Sequence, residues 1–150
     1  MTSAYPHFPL LSLPVAAGLA YAPHFIKTVI VLKATGRWNN INPRGQVDKI
    51  ETKLSPATLA MVRRAENAHN NGLETLSVFY GSVLAALHAG VPKDFVSYYA
   101  GLFLISRGAY NVLYILNTTP LAAGARSSAW FVCMYSCLKM FLAAAATKYY

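Results

Sequence analysis

The stretch SPATLAMVRRAENAHNNGLETLSVFYGSVLAALHA, residues 55–89, changes character halfway along. It opens on Ser55-Pro56, a serine suited to cap a helix followed by a proline at the first helical position, where a missing N–H costs nothing. Its first half then carries Arg63, Arg64, Glu66, Asn67, His69, Asn70, Asn71 and Glu74, whereas from Thr75 to Pro92 there is no Asp, Glu, Lys or Arg. One helix is expected, running to about Ala89, with one polar end and one end that hydrocarbon tolerates.

The rest of the chain reads as three more apolar segments around it. Leu10 to Leu32 is apolar apart from His24 and Lys27, with Pro14 and Pro23 inside, so a span with a kink is expected. Lys33 to Ser55 is a polar loop broken by Asn42-Pro43 and Arg44-Gly45. Gly90-Val91-Pro92-Lys93-Asp94 is a tight connection, Phe95 to Leu116 a third span, and Asn117-Thr118-Thr119-Pro120 a turn. The fourth span starts within Leu121 to Arg126 and continues to Ala146, and Lys148-Tyr149-Tyr150 has the composition of an interfacial end. The expected fold class is all-α, a four-helix transmembrane bundle in a single domain, 1–150.

Composition agrees with that organisation. The 150 residues are 55% hydrophobic and 12% charged, too apolar for an ordinary soluble domain, and their length accommodates four spans of about 20 residues. Lys and Arg outnumber Asp and Glu 13 to 5. Lys33, Arg37, Arg44, Lys49, Lys53, Arg63 and Arg64 crowd between two apolar segments, as in a cytoplasmic loop under the positive-inside rule, which points to a membrane and away from nucleic acid. Cys133 and Cys137 lie one helical turn apart in an apolar stretch and imply no disulfide framework. The N-terminus lacks a basic region before its apolar run, so the first span is expected to stay rather than be cleaved.

The charges inside the spans carry the chemistry. At about 100° per residue, Arg63, Asn67, Asn70, Asn71 and Glu74 fall in one broad sector of the second helix, with His69 pointing away. Arg107, Tyr110, Asn111 and Tyr114 cluster on the third helix, and Arg126, Ser127 and Trp130 on the fourth. Each ionisable group at membrane depth costs roughly 2.5 to 3.5 kcal/mol, so such groups face a bundle interior or a polar cavity. A shared site suits a polar anionic molecule: Arg107 and Arg126 pair carboxylates, Glu74 an ammonium, and the asparagines an amide backbone. Structural readings stand beside these. Arg63 and Arg64 can snorkel to the interface, the asparagines can bond helix to helix, and Glu74 can pair with Arg107. No His, Cys or carboxylate cluster has metal-ligand spacing, and no phosphate loop or nucleophile elbow is present.

The run Arg64-Ala65-Glu66-Asn67-Ala68-His69-Asn70-Asn71-Gly72-Leu73-Glu74 resembles the second-helix signature of the MAPEG family, the membrane-associated proteins in eicosanoid and glutathione metabolism. The loop Trp38 to Arg44 resembles the Asn-Pro-Arg loop of microbial members, Arg107 to Tyr114 the third-helix motif, and Arg126-Ser127-Ser128-Ala129-Trp130 the start of the fourth. The resemblance covers nearly the whole chain. It implies a homotrimer of four-helix subunits in the endoplasmic reticulum or another internal membrane, with glutathione bound between subunits near the cytoplasmic side. The implied reaction is glutathione transfer to a lipophilic electrophile, or reduction of a lipid peroxide.

By the same resemblance, Asn71 and Glu74 match a glutathione-contacting pair, and Arg107, Tyr110 and Tyr114 match ligand positions. Arg126 and Ser127 match the catalytic pair near the thiol, where an arginine favours thiolate and a hydroxyl donates to it. Asn67 and Asn70 stand where several members have arginines, and Trp130 where some have tyrosine. Arg37 is the counterpart candidate for a first-helix arginine. Two further functions fit the family: a biosynthetic enzyme for a specialised lipophilic metabolite, or a non-catalytic lipid-binding scaffold.

Overall fold

The computed structural model describes residues 7–41, 45–49 and 51–147. The Asn42-Pro43-Arg44 turn and the Lys148-Tyr149-Tyr150 end lie outside them. Among the described residues the regular structure is helical: α1 (Phe8–Thr35), α2 (Gln46–Lys49), a 3-10 turn (Glu51–Lys53), α3 (Pro56–His88), α4 (Lys93–Ile115) and α5 (Pro120–Ala146). Four helices are thus long, and the loop expected between the first two contains a short helix and a turn.

Local chemistry sets most of the ends. Ser55 Oγ accepts the Thr58 backbone N–H at 3.2 Å, with Pro56 at the first helical position. Thr119 and Pro120 repeat the device, Thr119 Oγ1 accepting from Ala122 N–H at 3.2 Å, so α5 begins ahead of the expected Leu121 to Arg126. α4 starts at Lys93, ahead of Phe95, because Pro92 takes the cap position and its carbonyl receives the Val96 N–H. α1 ends on Gly36, whose φ of 70° suits a residue without Cβ and whose N–H reaches Leu32 O at 2.8 Å.

α1 runs unbroken through both of its prolines. Pro23 has no N–H to give the carbonyl of Leu19, and Asn111 Nδ2 from α4 supplies the bond instead at 2.7 Å. One residue on, the carbonyl of Ala20 meets His69 Nδ1 from α3 at 2.8 Å. The side chain of Asn111 therefore docks on the gap that the proline opens, and His69 meets the next carbonyl beside it.

The interior is small-residue and polar in its middle and apolar towards the α3–α4 connection. Ala65, Ala68, Gly72 and Thr75 of α3 are buried, as are Ala16 and Ala20 of α1. A Cβ on Gly72 would stand 3.0 Å from Ala20 Cα and 3.1 Å from Arg107 Nη2, so backbone and guanidinium approach there only because the side chain is absent. Further along, Phe79 stacks on Phe103 with centroids 3.9 Å apart, and Val83, Val96, Cys133, Cys137 and Met140 complete the core. Both cysteines are free thiols within it.

The outer surface is apolar, with Leu11, Phe25, Val29, Ile105, Val112, Phe131 and Leu138 among many large exposed hydrophobics, while Lys27, Arg107, Asn111, Ser82 and Ser136 are buried. A water-soluble chain sorts these groups the other way. α1 and α5 are long and apolar enough to cross a membrane.

Candidate functional site

The polar face of α3 does not act as a unit. Arg107, on α4 and only 2% exposed, turns to one edge of it. Its Nη1 donates to Asn71 Oδ1 at 2.8 Å and, more loosely, to Thr75 Oγ1 at 3.4 Å, while Nη2 donates to the Ala68 carbonyl at 2.9 Å. Its Nε is buried without a partner. One helical turn on, the Tyr110 ring lies under the guanidinium at 4.4 Å, and Tyr114 follows with its centroid 5.4 Å from that of Tyr110. Arg126 of α5 then covers Tyr114 at 4.5 Å. Arginine, two tyrosines and arginine form one continuous row of contacts across two helices, the tyrosine rings tilted 56° to each other.

That row borders a groove of about 330 Å³ lined by Asn71, Tyr110, Tyr114, Arg126, Ser127, Trp130 and Phe131. Among the described residues neither Arg107 nor Arg126 has a carboxylate partner; the acids that do pair are Glu66 with Lys27, and Asp48 and Glu51 with Arg63. The groove therefore holds a cation in Arg126 whose charge the chain leaves open, beside an amide and a hydroxyl. Ser127 Oγ donates to the Ala123 carbonyl of its own helix at 3.2 Å. Such a site can bind an anion and stabilise charge that develops there.

The expected residues divide. Asn71, Tyr110, Tyr114, Arg126 and Ser127 converge on the groove, and Arg107 backs it through Asn71 and Tyr110. Asn67 and Glu74 are exposed on α3, and Glu74 makes no ion pair with Arg107. Asn70 belongs to a different cavity, with His24, Lys27, Glu66 and His69. Arg37 is exposed just past α1, with its carbonyl accepting from Thr35 Oγ1 at 2.9 Å. The broad sector drawn from a helical wheel spans both flanks of α3, and only packing shows that α4 and α1 take opposite ones.

Thr75 and Ala68 O were not legible as Arg107 partners, because a threonine in an apolar run and a backbone carbonyl carry no signature. The Lys27–Glu66 pair, 2.8 Å apart, was half legible: a lysine within an apolar span asks for an acid. The two basic residues that begin the polar half of α3 have structural partners. Arg63 Nη2 lies 3.3 Å from Glu51, and Arg64 Nε donates to the Ile115 carbonyl at the end of α4 at 2.9 Å.

A comparison with protein families matches the MAPEG family model over residues 10–146. No curated protein and no solved structure matches the chain.

Proposed function

Because the chain belongs to the MAPEG family, whose members are membrane-associated and act in glutathione-related transferase and isomerase chemistry, we propose that it is a membrane-bound glutathione transferase. The observation that carries this reading is the unpaired cation: Arg126, on an apolar helix long enough to cross a membrane, opens onto a groove and has no carboxylate partner among the described residues. An uncompensated guanidinium in that setting is costly unless a ligand brings the negative charge. Glutathione fits, having two carboxylates, an ammonium and a thiol to set against arginines, Glu74, an amide and a hydroxyl.

Bound glutathione supplies the nucleophilic sulfur for attack on a lipophilic electrophile or a lipid peroxide. Arg126 holds the sulfur as thiolate by charge, and the Tyr114 ring fixes the guanidinium in place. Ser127 donates a second bond to the thiolate once its hydroxyl turns from Ala123 O. Arg107 holds Asn71 by the Oδ1 atom, which leaves the Asn71 Nδ2 to donate into the groove. The lipophilic substrate arrives along the apolar flank formed by Trp130 and Phe131.

Homotrimerisation belongs to the same proposal, as do four spans in an internal membrane such as the endoplasmic reticulum. Its support is the polar face of α3, on which Asn67 and Glu74 are exposed. A second copy laid on that face gives them polar partners and closes the groove from outside.

The test is a titration of the detergent-purified protein with glutathione, read by thiolate absorbance. The parent is expected to develop the thiolate band saturably, and Arg126→Ala to lose most of it, about a hundredfold in the ionisation equilibrium. If glutathione neither binds nor ionises in the parent, the transferase reading falls and a lipid-binding role takes its place.

A further inference from the structure

The opposite flank of α3 carries a second polar cavity, of about 710 Å³, between α1 and α3. Its lining includes Tyr21, His24, Lys27, Trp38, Glu66 and His69, and shares no residue with the Arg126 groove. We propose that it is a separate binding site for a small neutral phenol-type ring, whose hydroxyl donates to His69 while the ring lies among Tyr21, His24 and Trp38. The proposal does not rest on glutathione binding at the other flank.

The imidazole of His69 is oriented as a base. Its Nδ1 meets the Ala20 carbonyl at 2.8 Å, and a carbonyl only accepts, so Nδ1 carries the proton. In the neutral ring the remaining nitrogen, Nε2, is then an acceptor. Around His69 the rings gather: Tyr21 and His24 each have centroids 5.1 Å from it, and Trp38 stands edge-on to His24 at 6.0 Å.

Trp38 is in this company because the chain doubles back. From His24 to the end of α1 is a rise of about 16 Å, which a tryptophan three residues past the helix cannot cover if the chain runs on. The left-handed turn at Gly36 reverses it, and the indole returns along α1 to wall the cavity.

The charges decide what the cavity takes. Lys27, 4% exposed in its side chain, is met by Glu66 at 2.8 Å, so neither an anion nor a cation finds an uncompensated partner. The acid in the cavity, Glu66, is taken by Lys27, and no group of three metal-ligating side chains is placed to hold a metal among the described residues. What remains is an acceptor nitrogen inside an aromatic wall. That combination suits a flat, neutral, membrane-soluble ring with one O–H, in a volume ordinary for small-molecule sites.

The experiment uses the full chain in detergent with Trp130→Phe, which leaves Trp38 as the reporter of two tryptophans. Para-nitrophenol, buffered below its own pKa, is compared with para-nitroanisole, the same ring without a donor proton. Saturable quenching of Trp38 is expected, with the phenol binding about tenfold tighter than its methyl ether. His69→Ala is expected to bring the phenol down to the ether and leave the ether unchanged, which also shows the cavity intact. Should that variant fail to fold, His69→Phe fills the space without a nitrogen and reads the same difference. Equal affinities in the parent, a preference that survives loss of His69, or displacement of the phenol by glutathione would each overturn the proposal.

Discussion

Gly72 is the residue on which most depends. It lets Ala20 of α1 and the Arg107 guanidinium come within about 3 Å of where its Cβ would be. Alanine gains about 1 kcal/mol of helix propensity over glycine, but the atoms it meets are a backbone carbon and a guanidinium held by three bonds. Overpacking of that kind costs more, so Gly72→Ala is expected to lower stability by a net of about 1 to 2 kcal/mol, measured by denaturation in detergent. The same substitution should weaken glutathione ionisation, since it displaces Arg107 from Asn71. Lys27 is the second sensitive position. Lys27→Met leaves the Glu66 carboxylate without its cation at membrane depth, at a cost of about 2 kcal/mol, discounted because Glu66 keeps some exposure. Adding Glu66→Gln should return most of that loss, and a variant pair that shows no recovery would contradict the ion pair.

Within α1 the element-level device is the proline gap. Asn111→Leu strips the Leu19 carbonyl of the side-chain donor that replaces the missing Pro23 N–H and is expected to cost about 1 to 3 kcal/mol. Pro23→Ala restores the intrahelical N–H, so in that background Asn111→Leu should cost clearly less. The coupling is read from a double-mutant cycle of unfolding midpoints, and additive effects would remove the claim. Helix ends show how far local chemistry reaches. Ser55-Pro56 was legible as a start, and Thr119-Pro120 carries the same pairing, yet apolar onset at Leu121 drew the expected boundary inward. Pro14 and Pro23 read as kink positions, but nothing local says that a neighbouring asparagine will complete the ladder.

For the molecule as a whole, the distribution of polarity is reversed from that of a soluble bundle, with arginine and lysine inside and leucine and phenylalanine outside. Between helices in lipid there is little hydrophobic drive, so small residues and polar bonds hold α1, α3 and α4 together in their middle. The exposed Asn67 and Glu74 face is the one on which the proposed second copy lies. Native mass measurement from detergent is expected to give three copies, and a monomer under all conditions would sink a site shared between subunits.

Four apolar stretches, a basic loop and a run of polar residues on one helix are properties of composition and period, and they are additive along the chain. For that reason the helical class, the membrane setting and the family resemblance could be read without coordinates. Whether Asn70 and Asn71, adjacent in the chain, serve one site or two is not additive. They differ by about 100° around the axis, and the packing of α4 on one side and α1 on the other sends them to separate cavities. The partners of Arg107, the bond from Asn111 to the carbonyl freed by Pro23 and the return of Trp38 to His24 likewise join residues apart in sequence. The helix crossings, closest at Gly72 and Ala20, and the reversal at Gly36 bring them within bonding range, because contact falls off over a few ångströms while the pattern along the chain carries no distance at all.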